Sequence, residues 1–280
     1  MVDESYTAPQ PPAVVIAVHN HKGGAGKTTT VSSLAAALSR RGHEVLVIDM
    51  DPQGNLSQQI GPENIGAIDT TIREVLLDPN QALPAVLKST VKGVDIIISR
   101  LKLEAVLDKL RQSYTPAVIL RPAIDILREG YDVILLDLPP ALNLLSVNGI
   151  AAADYLIIPH QSGAQFSLDG MEDLLTFVGD IKRSVNPKIS VLGHVLTKHD
   201  ERENAKRAMA AALRARVGEE AVFKVTIPES THILQSQMVR QDVISYKRKA
   251  TVVEAYFELA DLIAERAKLF ASRKACNGEE

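Results

Sequence analysis

The chain has 280 residues, 46% of them hydrophobic, with 31 Lys and Arg against 34 Asp and Glu. This is enough to bury the core of one large α/β domain or of two small ones. No apolar run approaches the roughly 20 residues that a membrane-spanning helix needs, and a single Cys276 argues against disulfides and a cysteine metal site. We therefore expect a protein of the reducing cytoplasm.

Strand-like apolar runs alternate with helical stretches along the chain, which predicts a single doubly wound, mainly parallel sheet flanked by helices. The predicted strands are residues 14–20, 44–49, 94–99, 132–137, 155–159, 189–196 and 222–227. The predicted helices lie near residues 27–41, 71–77, 103–112, 117–128, 168–184, 202–216 and 252–271. We expect residues 1–12 to be a disordered lead-in, 13–271 one domain and 272–280 a flexible tail.

A glycine-rich segment, H-K-G-G-A-G-K-T-T-T at residues 21–30, joins the first predicted strand to the first predicted helix. Such a turn exposes successive backbone N–H groups at the positive end of a helix and is typical of polyphosphate sites. Lys27 can reach the terminal phosphates, and the Thr28 hydroxyl can ligate Mg²⁺. The residues predicted to bind the nucleotide here are Gly23, Gly24, Ala25, Gly26, Lys27, Thr28 and Thr29.

Three aspartates lie at or just after the ends of predicted strands, at the edge of the sheet where ligands bind. Asp49 and Asp51 lie two residues apart, and carboxylates this close need a cation or bridging water to balance their charge. Asp137 ends an apolar strand, which is the Walker B arrangement. We predict that its carboxylate lies near Mg²⁺, directly or through water.

The glycine-rich segment departs from the plain P-loop pattern G-x-x-x-x-G-K-[ST], because His21 stands in place of glycine and a second lysine, Lys22, follows it. In the form K-G-G-x-G-K-T-T it resembles the deviant Walker A motif of the ParA/MinD/Soj-type ATPases. The segments D-M-D-P-Q-G-N at 49–55 and D-L-P-P at 137–140 resemble the switch I and Walker B motifs of that family. Weaker matches follow in family order, so the likeness spans roughly residues 13–265.

The resemblance implies a P-loop ATPase that holds ATP and Mg²⁺ between two subunits. Lys22 is expected to reach the triphosphate of the other subunit and to act like an arginine finger, beside Lys27 of the same loop. By the same resemblance Asp51 positions or activates the attacking water, and Asp49 supports the water shell of the metal. Pro228 marks the adenine pocket, although a proline that ends an edge strand explains this residue equally well.

The charge is unevenly distributed. The net charge of −3 by itself argues against nucleic-acid binding, but residues 182–250 contain 14 Lys and Arg against 7 Asp and Glu. This excess predicts a polyanion partner, and a solvated basic helix surface is the alternative. The predicted DNA contacts are Arg216, Lys224, Arg240, Lys247, Arg248 and Lys249, with 247–249 the best candidate, and Lys198, Lys206, Arg207 and Arg214 are further basic candidates.

The leading hypothesis is a ParA-like partition ATPase that forms an ATP-dependent homodimer, binds non-specific DNA and is released by a ParB-like adaptor. We expect it to be nucleoid-associated, with no stable membrane association. The alternative is a MinD-like membrane-cycling ATPase, which requires a C-terminal amphipathic helix that residues 269–280 poorly provide. A relative of the nitrogenase iron protein is excluded by the single cysteine. The cargo, whether plasmid, chromosome or protein assembly, is not encoded in these motifs.

Overall fold

The computed structural model describes residues 11–163 and 168–269. Its centre is an eight-stranded sheet with the order β3-β4-β2-β5-β1-β6-β7-β8, in which only the β3–β4 pair is antiparallel. The strands are β1 Val14–Val18, β2 Val45–Asp49, β3 Leu87–Lys88, β4 Val94–Ile97, β5 Val133–Asp137, β6 Tyr155–Gln161, β7 Ser190–His199 and β8 Ile227–Pro228. The predicted α/β fold class is confirmed.

Helices cover both faces of this sheet. They are α1 Lys27–Arg40, α2 Asn55–Ile60, α3 Ile72–Leu77, α4 Leu107–Arg111, α5 Arg121–Leu127, α6 Leu144–Ala152, α7 Leu168–Ser184, α8 Asn204–Val217, α9 Thr231–Met238, α10 Val243–Tyr246 and α11 Thr251–Arg266. Short 3₁₀ turns occupy several of the connections. None of the helices in the described residues is long and apolar enough to cross a bilayer.

The core forms two layers because successive side chains of a strand point to opposite faces. In β1, Ile16 and Val18 pack in the layer that contains α1 and α11, whereas Val15 and Ala17 pack in the layer that contains α5, α6 and α7. Every residue of the β5 run V-I-L-L-D is buried. This two-sided burial explains why the central strands read as continuous apolar runs.

Six of the seven predicted strands are confirmed, with ends shifted by up to three residues. The prediction for 222–227 is mostly wrong: Val222 makes one isolated bridge to His194, and only Ile227–Pro228 forms β8. Lys224 is exposed between buried Phe223 and Val225, so this stretch alternates as a strand would while passing the end of the sheet with few ladder bonds. The helix predicted near 103–112 is a 3₁₀ turn at Leu101–Val106 followed by α4.

Four helices and one strand were absent from the prediction. The sequence of α6, L-L-S-V-N-G-I-A-A, is almost wholly buried and therefore has no polar face from which a helical period can be read. The other three, α2, α9 and α10, have eight residues or fewer, and β3 has two. Of the predicted termini, residues 1–10 and 270–280 lie outside the described residues.

Two buried histidines join β6 to β7. His160 Nε2 and His194 Nδ1 are 2.8 Å apart, and the two rings stack at a centroid distance of 5.1 Å. Burial lowers the pKa of His160 to about 3 and that of His194 to about 4. Both rings are therefore neutral in the folded protein at pH 5 and above.

This pair makes stability depend on pH in a defined direction. Unfolded histidines bind protons near pH 6.5 while the folded ones stay neutral, so stability is lost as the pH falls from about 6.5 toward 4. His194→Gln removes one such group. Between pH 7 and pH 5 the variant should therefore lose about 2 kcal/mol less of its free energy of unfolding than the wild type, measured by urea denaturation.

The prediction concerns the difference in pH dependence between the wild type and His194→Gln, and not the wild type alone. Burial raises the pKa of Asp49 to about 7, so protonation of this carboxyl stabilises the fold as the pH falls and opposes the histidines. The change of wild-type stability with pH therefore contains both effects, whereas the difference between wild type and variant isolates the contribution of His194. An equal loss in both proteins would contradict the assignment.

Candidate nucleotide site

The glycine-rich segment lies between the carboxyl end of β1 and the first turn of α1. Gly24 has φ +78° and Gly26 has φ +88°, left-handed values that L side chains rarely adopt. Gly26 is the N-cap of α1 and offers no side-chain acceptor, so the first-turn N–H groups of α1 remain available to an anion. The Asn20 side chain accepts the Lys22 N–H at 2.9 Å and fixes the start of the turn.

Neighbouring strands support this loop from one side. Thr197 at the end of β7 donates its hydroxyl to the Ala25 carbonyl at 3.0 Å in a buried bond. A Cβ on Gly26 would lie 3.4 Å from the Thr197 methyl, and one on Gly24 would lie 3.4 Å from the Gln161 amide oxygen. Gly23, by contrast, has open space where its Cβ would be. The loop is thus held on its protein side and open at Gly23.

Lys27 is held at the centre of the loop. It is only 8% exposed, and its Nζ lies 3.5 Å from the Lys22 carbonyl. Burial lowers the pKa of Lys27, and the nearby carboxylates of Asp137 and Asp51 oppose that shift. The carboxylates thus favour the charged form of Lys27, the form that would attract phosphate.

The clearest evidence for a cation lies at Asp137. Its Oδ2 accepts the Thr28 hydroxyl at 2.8 Å, while its Oδ1 is buried and has no hydrogen-bond partner among the described residues. Burial, and next the charge of Asp49, raise the pKa of Asp137 well above its usual range. Mg²⁺ prefers a carboxylate and a hydroxyl with several of its waters retained, so this donor set fits it. Thr28 and Asp137, which were predicted from separate motifs, are brought together.

Asp49 and Asp51 occupy different positions around this point. Asp49 pairs in register with Asp137 on the adjacent strand and is fully buried. Its carboxylate accepts the Asp51 N–H at 3.0 Å and both the N–H and the hydroxyl of Ser57, at 2.8 and 2.6 Å. Asp51 is 8% exposed, and its Oδ1 accepts the Gln53 N–H at 2.9 Å. Asp49 therefore organises the segment that carries Asp51, and its predicted support of the metal's water shell stays a prediction.

The remaining predicted nucleotide residues lie around the loop. Lys22 lines a cavity of about 40 Å³ beside the loop, together with His160 and Gln161 of β6. Pro228 ends β8, which is the outermost strand at one edge of the sheet. There it pairs with His199 of β7. The structure thus gives Pro228 its edge-strand role, and its adenine role stays a prediction.

The predicted DNA contacts lie on separate elements. Arg216 at the end of α8 is ion-paired with Glu172, and Arg240 donates its Nε–H to the Gln58 carbonyl at 2.8 Å. Lys224 and the run Lys247–Lys249 are exposed. Among the further basic candidates, Lys206 is only 6% exposed and contacts Glu203 and Glu229.

Sequence reasoning missed two residues that connect the site to its surroundings. Ser57 holds Asp49 and also accepts the Ser99 N–H at 2.8 Å. Gln237 of α9 donates to the Thr29 hydroxyl at 3.2 Å. Both lie on short helices that carried no pattern, and no motif in the sequence points to either residue.

A glycine-rich turn ahead of α1, with Lys27, Thr28 and two strand-end aspartates, defines a P-loop nucleoside triphosphatase. The comparisons give the family. A family profile described as "AAA domain" matches residues 13–191. The chromosome partitioning protein ParA of Caulobacter vibrioides is 34% identical, over 92% of this chain and 96% of that protein. The chain belongs to the ParA/MinD superfamily of ATPases, as its motifs predicted.

One further relative is similar in sequence, and two solved structures are similar in fold. The sporulation initiation inhibitor protein Soj of Bacillus subtilis is 30% identical, over 89% of this chain and 98% of that protein. A structure of cobyrinic acid a,c-diamide synthase from Mycobacterium smegmatis, with bound ATP analog and magnesium, is 28% identical. It covers 93% of this chain and 98% of its own, with a TM-score of 0.79. MinD of Pyrococcus horikoshii, complexed with Mg-ADP, is 22% identical over 91% of this chain and 97% of its own, with a TM-score of 0.74, and shows the shared fold.

The loop geometry predicts unequal effects at two of its glycines. Gly26→Ala forces a side chain into a left-handed backbone and toward Thr197, so we expect the free energy of unfolding to fall by about 1–2 kcal/mol. Gly23 has neither restriction, and Gly23→Ala should change it by less than about 0.5 kcal/mol. Denaturation without nucleotide measures both. A Gly26→Ala protein as stable as wild type would contradict this account of the loop.

Proposed function

We propose that this protein is an Mg²⁺-dependent ATPase that dimerises on ATP, binds DNA without sequence preference as the dimer, and positions DNA or a protein cargo. A ParB-like adaptor would stimulate hydrolysis and release the dimer, placing the protein in the cytoplasm on the nucleoid. The observation that carries the proposal is the Thr28–Asp137 pair beside Lys27, in which Asp137 Oδ1 is buried and has no hydrogen-bond partner within the described part of the chain. The kinship to ParA and Soj supports the partition role.

The residues divide the binding of ATP between them. Loop N–H groups and Lys27 would hold the phosphates, while Thr28, Asp137 and, through water, Asp49 would hold Mg²⁺. When bound, the metal neutralises the charge that develops on the transferred phosphoryl group. Asp51, whose carboxylate is oriented by the Gln53 N–H, would align a water for attack. Pro228 would border the adenine.

Lys22 is the residue from which we infer the dimer. Its backbone lies at the start of the loop, next to the open face at Gly23. Since Lys27 already serves the phosphates of its own subunit, we assign Lys22 to the triphosphate of a second copy. A cation added there stabilises the transition state and makes hydrolysis depend on assembly.

Lys22→Ala tests this assignment. We expect ATP turnover to fall by roughly 10²–10³-fold, as when one charge-stabilising donor is removed. Size-exclusion chromatography with a slowly hydrolysed ATP analogue reports the dimer, and a fluorescent ATP analogue reports binding. Lys27→Ala is the matched control, because it should lose nucleotide binding itself. A Lys22→Ala dimer with undiminished ATPase would refute the role.

DNA binding is tested at the exposed run 247–249. In Arg248→Ala with the ATP analogue, DNA affinity should fall for every sequence, and the slope of log affinity against log salt should decrease by about one. Fluorescence anisotropy on unrelated duplexes measures both quantities. Lys102→Ala is the control. Lys102 is exposed, and its neighbour Leu103 packs on the face of the sheet opposite to the one that α1 and α11 cover.

Two results would contradict the DNA-binding role. One is wild-type protein that shows no shift of DNA with ATP. The other is protein that instead co-sediments with anionic liposomes in an ATP-dependent manner, which would favour the membrane-cycling alternative. An equal loss of DNA affinity in the Lys102 and Arg248 variants would mean that the effect comes from the overall charge of the protein and not from the run 247–249.

A further inference from the structure

Residues 237–242, which comprise the end of α9 and its connection to α10, are hydrogen-bonded both to α1 and to α2, the helices that begin at the two predicted nucleotide-contacting segments. We call residues 237–242 the elbow. Its first residue, Gln237, donates to the Thr29 hydroxyl in the first turn of α1. Two further bonds join the elbow to α2: Arg240 Nε–H to the Gln58 carbonyl at 2.8 Å, and Gln59 Nε2–H to the Gln241 carbonyl at 2.9 Å.

Arg240 adopts an unusual backbone at the centre of the elbow. Its φ is +54°, a left-handed value that disfavours residues with a Cβ other than Asn or Asp. Such conformations persist only where surrounding contacts impose them. This bend ends α9: the Arg240 N–H donates to the Gln237 carbonyl at 3.1 Å and the Gln241 N–H donates to the Ser236 carbonyl at 2.9 Å, the paired bonds of a left-handed helix C-terminus. The two bonds to α2 lie at Arg240 and at the next residue, so they fix the position of a bend that α9 itself forms.

α2 is in turn fixed by the candidate active site. It begins at Asn55, directly after the segment that carries Asp51, and its Ser57 is bonded twice to Asp49. A change in the position of Asp49 or Asp51 would therefore move α2 as a unit. Because α2 is a single short helix, the shift would reach Gln58 and Gln59 at its other end.

The elbow leads directly to the basic run. The Asp242 side chain accepts the Ser245 N–H at 2.8 Å and starts α10, and the Ser245 hydroxyl accepts from Arg40 at the end of α1. Lys247–Lys249 follow α10 directly and are exposed. A cavity of about 500 Å³, lined by Gly61, Thr90, Val239 and Arg240 among others, adjoins the elbow and leaves room for it to shift.

We propose that Arg240 and Gln59 are positioning residues that couple the nucleotide site to the basic run 247–249 through the elbow. The role of Arg240 is then to transmit the state of α2, in place of the phosphate contact that its charge predicts. This inference rests on the proposed ATP-dependent DNA binding. It adds the physical connection between the two sites, which lie on different segments of the chain.

The experiment measures DNA affinity by anisotropy with the ATP analogue and with ADP, and takes the ratio of the two. Gln59→Ala removes an elbow bond without removing any charge, so the ratio should fall by roughly 2- to 30-fold while the salt slope stays unchanged. Arg240→Gly keeps the left-handed backbone accessible and removes the side-chain bond, so its ratio should fall likewise. Thermal unfolding and sizing with the ATP analogue verify that both variants fold and dimerise.

Arg248→Ala is the matched control for a plain phosphate contact. It should weaken DNA binding equally with both nucleotides, lower the salt slope by about one and keep the ratio. If Arg240→Gly behaves like Arg248→Ala, Arg240 is a DNA contact and the coupling role is overturned. Retention of the ratio in Gln59→Ala, or loss of the dimer in either elbow variant, overturns it as well. A wild-type protein with the same DNA affinity in both nucleotides would refute the proposed function itself, and the coupling role with it.

Discussion

Two buried carboxylates side by side impose the central constraint on this molecule. Asp49 and Asp137 end adjacent parallel strands in register, and both are almost completely removed from solvent. Burial raises the pKa of both carboxyls, with a further rise from the charge of Asp51 at Asp49 and from the charge of Asp49 at Asp137, so the arrangement is unfavourable unless positive charge stands next to it. Lys27 supplies part of that charge, and a divalent cation would supply the rest. The glycine loop, α1 and α2 are all arranged around this need.

Each carboxylate is also tied to a different neighbouring element. Asp137 binds Thr28 at the start of α1, and Asp49 binds Ser57 within α2. The two helices that begin beside the site therefore depend on how these carboxylates are arranged. A change of charge at this point would act on both helices at once, which is a physical basis for a switch.

The meeting of the candidate residues at one edge of the sheet could be predicted from the sequence, because each of them lies in a local pattern at the end of a strand or just after it. Lys27, Thr28 and Asp137 needed only the glycine-rich segment and an apolar run ending in aspartate, together with the rule that strand ends converge. Ser57, Gln237 and the bend at Arg240 could not be predicted in this way. They act through contacts between segments distant in sequence, on helices too short to show a period. The hydrogen-bond partner of a side chain such as Asp49 is set by the packing of the folded chain. The spacing of residues in the sequence does not reveal it.

The two edge strands of the sheet affect whether closely spaced copies of this protein can aggregate. A strand with free N–H and C=O groups at an edge can pair with the edge of another molecule and start an aggregate. Here both outer strands have two residues; one carries Lys88, and the other ends in Pro228, which has no N–H to donate. In the part of the chain that the structure describes, neither sheet edge would thus favour uncontrolled sheet-to-sheet joining between copies crowded on one polymer. Crowding of that kind would leave them free to separate again.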